Sequence, residues 1–179
     1  MGRTGAVGRV RQGVRALSAW AKPVDHALVE ATLTEPLRAL FYRMRRSEQL
    51  HSLNVLRRVM AAGEAPAALR VAALLHDCGK ARAPFSLPER VIVVLVKAAA
   101  PSLAKQWGAG DESGLRTWRR PFMLSAQHPT WGAKMAETAG AEPLAVQLIA
   151  AHQTPLAAAG GDDLFRRLLA ALQAADDAS

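Results

Sequence analysis

Cysteine is almost absent from this chain: Cys78 is the only one among 179 residues. It cannot form an internal disulfide, and a chain of this length buries roughly 70% of its unfolded surface and needs none. The missing second cysteine also excludes a thiolate-rich structural zinc site. Long apolar runs are lacking too. The longest extends from Val91 to Val96, resumes at Ala98–Ala100 and is interrupted by Lys97, short of the roughly 20 residues a membrane-spanning helix requires. No basic n-region, apolar h-region and small-residue cleavage pattern opens the chain. There is no internal repeat, and no low-complexity segment beyond alanine-rich helices. These absences lead us to expect one compact domain in a reducing, cytoplasmic setting, with no transmembrane span.

Acidic residues are scarce in one region only. The formal net charge is +8, and residues 1–60 hold 11 Lys or Arg against 4 acids, whereas residues 61–179 hold 12 against 11. A regional basic patch suits phosphate-rich partners, nucleic acid or an anionic membrane surface; it is equally what a solvated, arginine-rich helix face looks like. No aromatic-interleaved or recognised nucleic-acid motif accompanies it. Val7, Val10, Val14 and Leu17 recur at helical spacing beside Arg9, Arg11 and Arg15. Residues 1–22 are therefore expected to be a basic arm, an amphipathic helix or a loosely ordered segment able to touch an anionic surface, ahead of a domain over 23–179.

That domain is expected to be all-α. Asp25 can cap a helix to about Leu33, and Pro36 suits the first turn of a second helix over Leu37–Met44. A longer helix follows Ser47 to about Ala62, placing His51 on one face with Val55 and Val59. The next, from about Pro66, carries Leu69, Ala72 and Ala73 on the face that reaches His76, and Gly79 and Pro84 mark its exit. Ser86-Leu87-Pro88-Glu89 has the form of a capping box and favours helix for the valine-rich run after it, with strand as the alternative because Val91, Ile92, Val93 and Val94 are β-branched. Residues 106–121, with Gly108, Gly110, Gly114 and Pro121, are expected to form a long loop that can lie over a site. His128-Pro129 is expected to open a helix to about Ala139, and Glu142-Pro143 another whose Leu144, Leu148 and Ile149 lie on the His152 side. Gly160-Gly161 and Asp162 are expected to start the last helix, in which Phe165, Leu168, Leu169 and Leu172 form a buried stripe; Asp176 continues it, while Asp177 falls nearer Arg166 and Gln173.

The stripe residues that are not apolar share one chemistry. His51, His76, Asp77, His128, His152 and Asp176 offer imidazole and carboxylate donors, which suit borderline or hard divalent ions. Neighbours on a regular helix point about 100° apart, so His76 and Asp77 can reach one ion only at a helix end. There Asp77, with two oxygens, can bridge two ions. A lone inward histidine is usually a satisfied core residue, and His26, beside Asp25 without a matching partner, is read as a surface or capping histidine.

The ordered set His51, His76-Asp77, His128, His152, Asp176 resembles the HD superfamily of metal-dependent phosphohydrolases over about residues 47–177. Leu74-Leu75-His76-Asp77-Cys78-Gly79-Lys80 resembles its His-Asp-Ile-Gly-Lys motif, with Cys78 where an aliphatic residue is usual. The resemblance implies an all-helical, single-domain bundle with its metal site between helices. It implies one ion on His51, His76, Asp77 and Asp176, and in two-metal members a second on Asp77, His128 and His152. Iron or manganese are the expected ions, with magnesium, zinc, cobalt or nickel as alternatives. Asp77 and Lys80 take the catalytic roles, Asp77 orienting water and Lys80 neutralising phosphate.

Lys80 and Arg82 follow the motif at once, and Arg43, Arg45 and Arg46 precede His51. Such cations suit phosphate oxygens, though Arg43–Arg46 also suit the negative pole of a helix dipole. Lys80 and Arg82 are the expected substrate contacts; Trp118, Arg119 and Arg120 form either a base-stacking lid or a tryptophan packed under a loop. The implied partner is a phosphorylated small molecule, with a nucleotide or dinucleotide as the substrate class. Gln153-Thr154-Pro155 stands where cyclic-dinucleotide phosphodiesterases of the superfamily have a second histidine, which disfavours cyclic-di-GMP, and triphosphohydrolase flanking motifs are not evident. Two rivals remain: a diiron oxygenase similar to inositol oxygenase, and a non-catalytic metal-binding regulatory module. Nothing in the sequence sets an oligomeric state.

Overall fold

A computed structural model describes residues 23–83, 85–110 and 112–179. The expected basic arm, residues 1–22, lies outside the described residues.

Nine α-helices and two 3-10 turns make up the described residues, which contain no strand. The first helices start where local chemistry says they should. Asp25 accepts a hydrogen bond from the Leu28 amide at 3.1 Å and caps α1 (His26–Thr32), satisfying an amide that the helix leaves without a partner. Pro36 sits in the first turn of α2 (Glu35–Arg43). The next helix, α3 (Arg46–Ala61), begins slightly before Ser47, where the Glu48 carboxylate accepts from the Arg45 amide at 3.2 Å. It is followed by α4 (Ala67–Leu75) and a 3-10 turn, Cys78–Arg82.

For the valine-rich run, helix prevails over strand. Ser86 and Glu89 form the anticipated capping box, with Pro88 in the first turn of α5 (Leu87–Ala99). These local bonds commit the chain before β-branching can bias it. One face of α5 buries Val93, while Leu87, Val91, Ile92, Val94 and Leu95 remain exposed.

Two expectations fail in the region after α5. Residues 106–121 are not a long loop: α6 (Pro101–Gly108) takes its first part, a 3-10 turn (Glu112–Arg116) its middle, and α7 begins at Arg120. Nor does His128-Pro129 open a helix, because α7 runs from Arg120 to Thr138 straight through Pro129. An interior proline costs about 3 kcal/mol. Burial of Phe122, Met123 and Leu124 ahead of it offsets that cost, at about 1.5–3 kcal/mol per large side chain. The last two helices, α8 (Pro143–Ala151) and α9 (Asp163–Asp177, capped by Asp162), match their signals.

The main core joins α3, α4, α8 and α9 through Leu53, Leu56, Leu69, Leu75, Leu148 and Leu172. A second cluster under α5 and α6 unites Phe85, Val93, Ala104, Phe122 and Trp131. Between the clusters the first 3-10 turn packs on α7. Ion pairs clamp α5 in place: Arg90 donates to Glu48 of α3 at 2.6 Å, and Arg120 of α7 pairs with Glu89. The Arg120 hydrogen bond, with Ser86 assisting against the opposing effect of burial, lowers the Glu89 carboxyl from 4.5 to about 2. A carboxyl whose folded pKa is depressed contributes stability that is complete above its unfolded pKa and fades as pH falls toward the folded one. Glu89→Gln is expected to lower stability by about 1 kcal/mol at pH 7, and the gap should narrow below about pH 4.5. Urea midpoints of both proteins from pH 7 to pH 3 check this; a gap that stays constant to pH 3 contradicts it.

Candidate metal centre

Six side chains from five helices and the turn after α4 converge on one site. His51 lies in the second turn of α3, His128 in the middle of α7, and Asp176 in the last turn of α9. His76 and His152 are the C-caps of α4 and α8. The step from His76 to Asp77 takes the backbone out of the helix, from φ −53°, ψ −33° to φ −97°, ψ 1°. That departure relieves the 100° divergence of adjacent helical side chains and lets both reach inward.

Asp77 is the hinge of the site. Its Oδ1 lies 3.3 Å from His128 Nε2 and 3.9 Å from His152 Nε2. Its Oδ2 lies 3.7 Å from His76 Nε2 and 2.6 Å from Lys80 Nζ. On the other side of His76, Asp176 Oδ1 is 3.6 Å from His76 Nε2 and 2.8 Å from His51 Nε2. Two overlapping donor groups result, His51–His76–Asp77 and Asp77–His128–His152, each with ligand atoms within 4.8 Å of one another. Asp176 joins the first through His51. His76, Asp77, His128 and His152 are buried, at 1–4% exposure, while His51 and Asp176 are about 30% exposed at the rim.

The imidazoles are oriented from behind. Nδ1 of His76, His128 and His152 lies 3.1, 3.0 and 2.8 Å from the backbone carbonyls of Ala73, Leu124 and Ile149. A carbonyl only accepts, so each Nδ1 carries the proton and each Nε2 presents a lone pair to the centre. His128 and His152 then point two lone pairs at each other across 3.3 Å. Two acceptors face to face repel unless a cation or proton lies between them. His76 Nε2, also buried, has no hydrogen-bond partner. This donor set fits divalent cations.

Protonation favours the same use. Burial opposes the charge on Asp77, but its neighbours His76, His128 and Lys80 hold its carboxyl well below the usual range. Burial likewise opposes Asp176, and the His51 hydrogen bond leads the effects that lower it. Burial pushes His76 down, and burial together with His76 and His128 pushes His152 down to about 3. Ionised carboxylates and neutral imidazoles are the forms that ligate a metal.

The other candidates are placed as follows. Arg82 stacks over the Trp131 ring at 5.2 Å. Arg45 donates to the Phe85 carbonyl at 2.7 Å, tying α3 to the start of α5 rather than entering the site. The lid expectation fails for the arginines. Arg119 bonds the carbonyls of Gln106, Trp107 and Ala109, and Arg120 pairs with Glu89. Trp118 packs edge-on against Trp107, at 5.1 Å between ring centroids. His26 lies 2.9 Å from the Tyr42 hydroxyl, apart from the centre.

Gly79 and Gly132 do more than the sequence disclosed. A Cβ at Gly79 would sit 2.1 Å from the His128 carbonyl oxygen and 2.7 Å from the Gly132 amide. The turn that carries Asp77 therefore presses its backbone on the α7 turn that carries His128. Cys78 fills the space beside it, fully buried with Sγ 3.6 Å from the Gly132 carbonyl, and burial, then the Asp77 charge, raises its thiol to about 12. A glycine inside a helical pattern was the available hint for Gly132.

A family model described as HD domain matches residues 50–177. The chain belongs to the HD domain family. Its span takes in all six converging side chains, and HD domains are in general metal-dependent phosphohydrolases that bind divalent ions. Neither the curated proteins nor the solved structures returned a match. Within this HD domain, Gly79→Ala is expected to cost about 1–3 kcal/mol and to weaken retention of Mn²⁺. Gly160→Ala, with nothing within 4 Å of the added Cβ, should change stability by less than about 0.5 kcal/mol. Thermal unfolding and equilibrium dialysis of the two variants check the pair.

Proposed function

We propose that this HD domain is a metal-dependent phosphohydrolase acting on a phosphomonoester or phosphodiester, with a nucleotide or dinucleotide as the substrate class. The observation that carries this reading is the pair of opposed Nε2 lone pairs of His128 and His152 beside Asp77 Oδ1, an arrangement that calls for a cation. His51, His76, Asp77 and Asp176 would hold one ion, and Asp77, His128 and His152 a second, with iron or manganese preferred. A divalent ion in such a site makes water nucleophilic at neutral pH and neutralises charge on a transferring phosphoryl group.

The chain supplies the rest. Asp77 offers its two oxygens to opposite sides of the centre and orients the attacking water. Lys80, held 2.6 Å from Asp77 Oδ2 and 17% exposed, keeps an ammonium at the edge of the buried donors, where it neutralises a phosphate oxygen. Burial of His76, Asp77, His128 and His152 excludes bulk water and strengthens each electrostatic contact. The lysine favours a phosphate ester over the dioxygen chemistry of the oxygenase reading. A cytoplasmic setting and contact of the basic residues 1–22 with an anionic partner belong to the same proposal, resting on the cysteine content and charge pattern.

Anaerobically purified protein is expected to contain two metal equivalents and to release phosphate or cleave a phosphodiester in a nucleotide and dinucleotide screen with iron, manganese and magnesium. Asp77→Ala should lower turnover at least about 100-fold with circular dichroism unchanged; undiminished turnover sinks the mechanism. Dioxygen uptake without phosphate release would replace it with the oxygenase reading, and tight ligand binding without product with the regulatory one. Divalent metal at 100 times its Kd should stabilise the fold by about 2.7 kcal/mol, a rise of roughly 5–10 °C in Tm. The increment should shrink in His128→Ala, which removes a donor from the second ion's set and leaves the first, as read by differential scanning calorimetry.

A further inference from the structure

Lys97 is the one charge that interrupts the apolar run of α5, and the proposed mechanism leaves it unused. The residue as a whole is exposed, and its ammonium donates to Ser125 Oγ of α7 at 2.8 Å. Ser125 is itself buried, 9% exposed, and lies one helical turn before His128, so Lys97 Nζ is tied to the helix that carries that donor. No carboxylate among the described residues lies within ion-pair distance of Lys97. Burial first and the Lys80 charge second lower its ammonium below the ordinary lysine value.

Cations on converging elements are costly to hold near each other without an anion between them. Three arginines of this region are engaged by structural partners: Arg90 by Glu48, Arg120 by Glu89, and Arg119 by three carbonyls. Lys80 is half-committed, with Asp77 as its partner. Lys97 has only a neutral hydroxyl, which can accept one of its three protons and leaves two for a ligand.

We propose that Lys97, oriented by Ser125, is a second anion-binding position beside the metal centre, and that the substrate carries two linked phosphate groups, one over the Asp77–Lys80 edge and the next on Lys97. This rests on the phosphohydrolase reading and narrows it to phosphoanhydrides and nucleoside diphosphate or dinucleotide polyphosphate compounds over simple monoesters. Lys97 on this account binds the phosphate that is not attacked.

Methylenediphosphonate and methylphosphonate distinguish the two positions without turnover. Titrated into Mn²⁺-equilibrated protein in a calorimeter, the diphosphonate is expected to bind more tightly than the monophosphonate. Lys97→Gln should weaken the diphosphonate about 10- to 100-fold and leave the monophosphonate within about threefold, with Tm unchanged. Lys97→Arg should recover part of the loss, and Ser125→Ala should produce a smaller loss of the same selectivity. Equal affinities of the two phosphonates for the wild-type protein, or equal losses for both in Lys97→Gln, overturn the inference. So does a fall in Tm with the affinity ratio preserved, since Lys97 would then only tie α5 to α7. Failure of the monophosphonate to bind the wild type would count against the phosphohydrolase reading itself.

Discussion

The site depends on how closely one turn can approach one helix. Asp77 reaches His128 and His152 because the backbone of Gly79 lies against the His128 carbonyl and the Gly132 amide, a separation that leaves no room for a Cβ. Any larger residue there would push the 3-10 turn off α7, and with it the carboxylate that belongs to both donor groups. Protein interiors transmit such displacements because they are close-packed. Cys78, buried against Gly132, seals the same contact from behind. The helices behind the turn serve that approach: α8 packs on α7 and on α4, and α9 closes over α3 with Asp176.

Electrostatics then turns proximity into chemistry. Three backbone carbonyls, on Ala73, Leu124 and Ile149, fix three imidazole tautomers. Each bond is local, three or four residues back along its own helix, so orientation is built into the helix geometry before the helices meet. Assembly brings the Nε2 lone pairs into opposition around an ionised carboxylate. A buried carboxylate and unpaired imidazoles are expensive to maintain without a cation. Lys80 supplies one cationic contact from the protein; the remaining donors define what a metal would satisfy.

Legibility in the sequence followed the range of the determining interaction. Asp25, Ser86-Glu89 and Asp162 mark helix starts through bonds spanning three residues, and all three were readable. Asp176 was separable from Asp177 because helical phase is itself local, and its bond to His51 follows that phase. The start of α7 was not readable. Pro129 is a strong local breaker, whereas the burial of Phe122, Met123 and Leu124 that carries the helix across it depends on Phe85, Val93 and Ala104 from other elements. For the same reason Arg119 and Arg120 looked available to a ligand, though distant carbonyls and Glu89 had already claimed them.

The sequence by itself determined the all-helical class and singled out the six side chains that the fold brings together, because side-chain phase is largely a property of the single helix. Tertiary structure alone decided that Asp77 faces two groups of donors with different oxygens, that His128 and His152 oppose each other at 3.3 Å, and that Lys97 comes to rest on Ser125. Those are distances between elements. They are set by how near two backbones can pack, and a glycine 53 positions from its partner in the chain gives no local sign of the contact it permits.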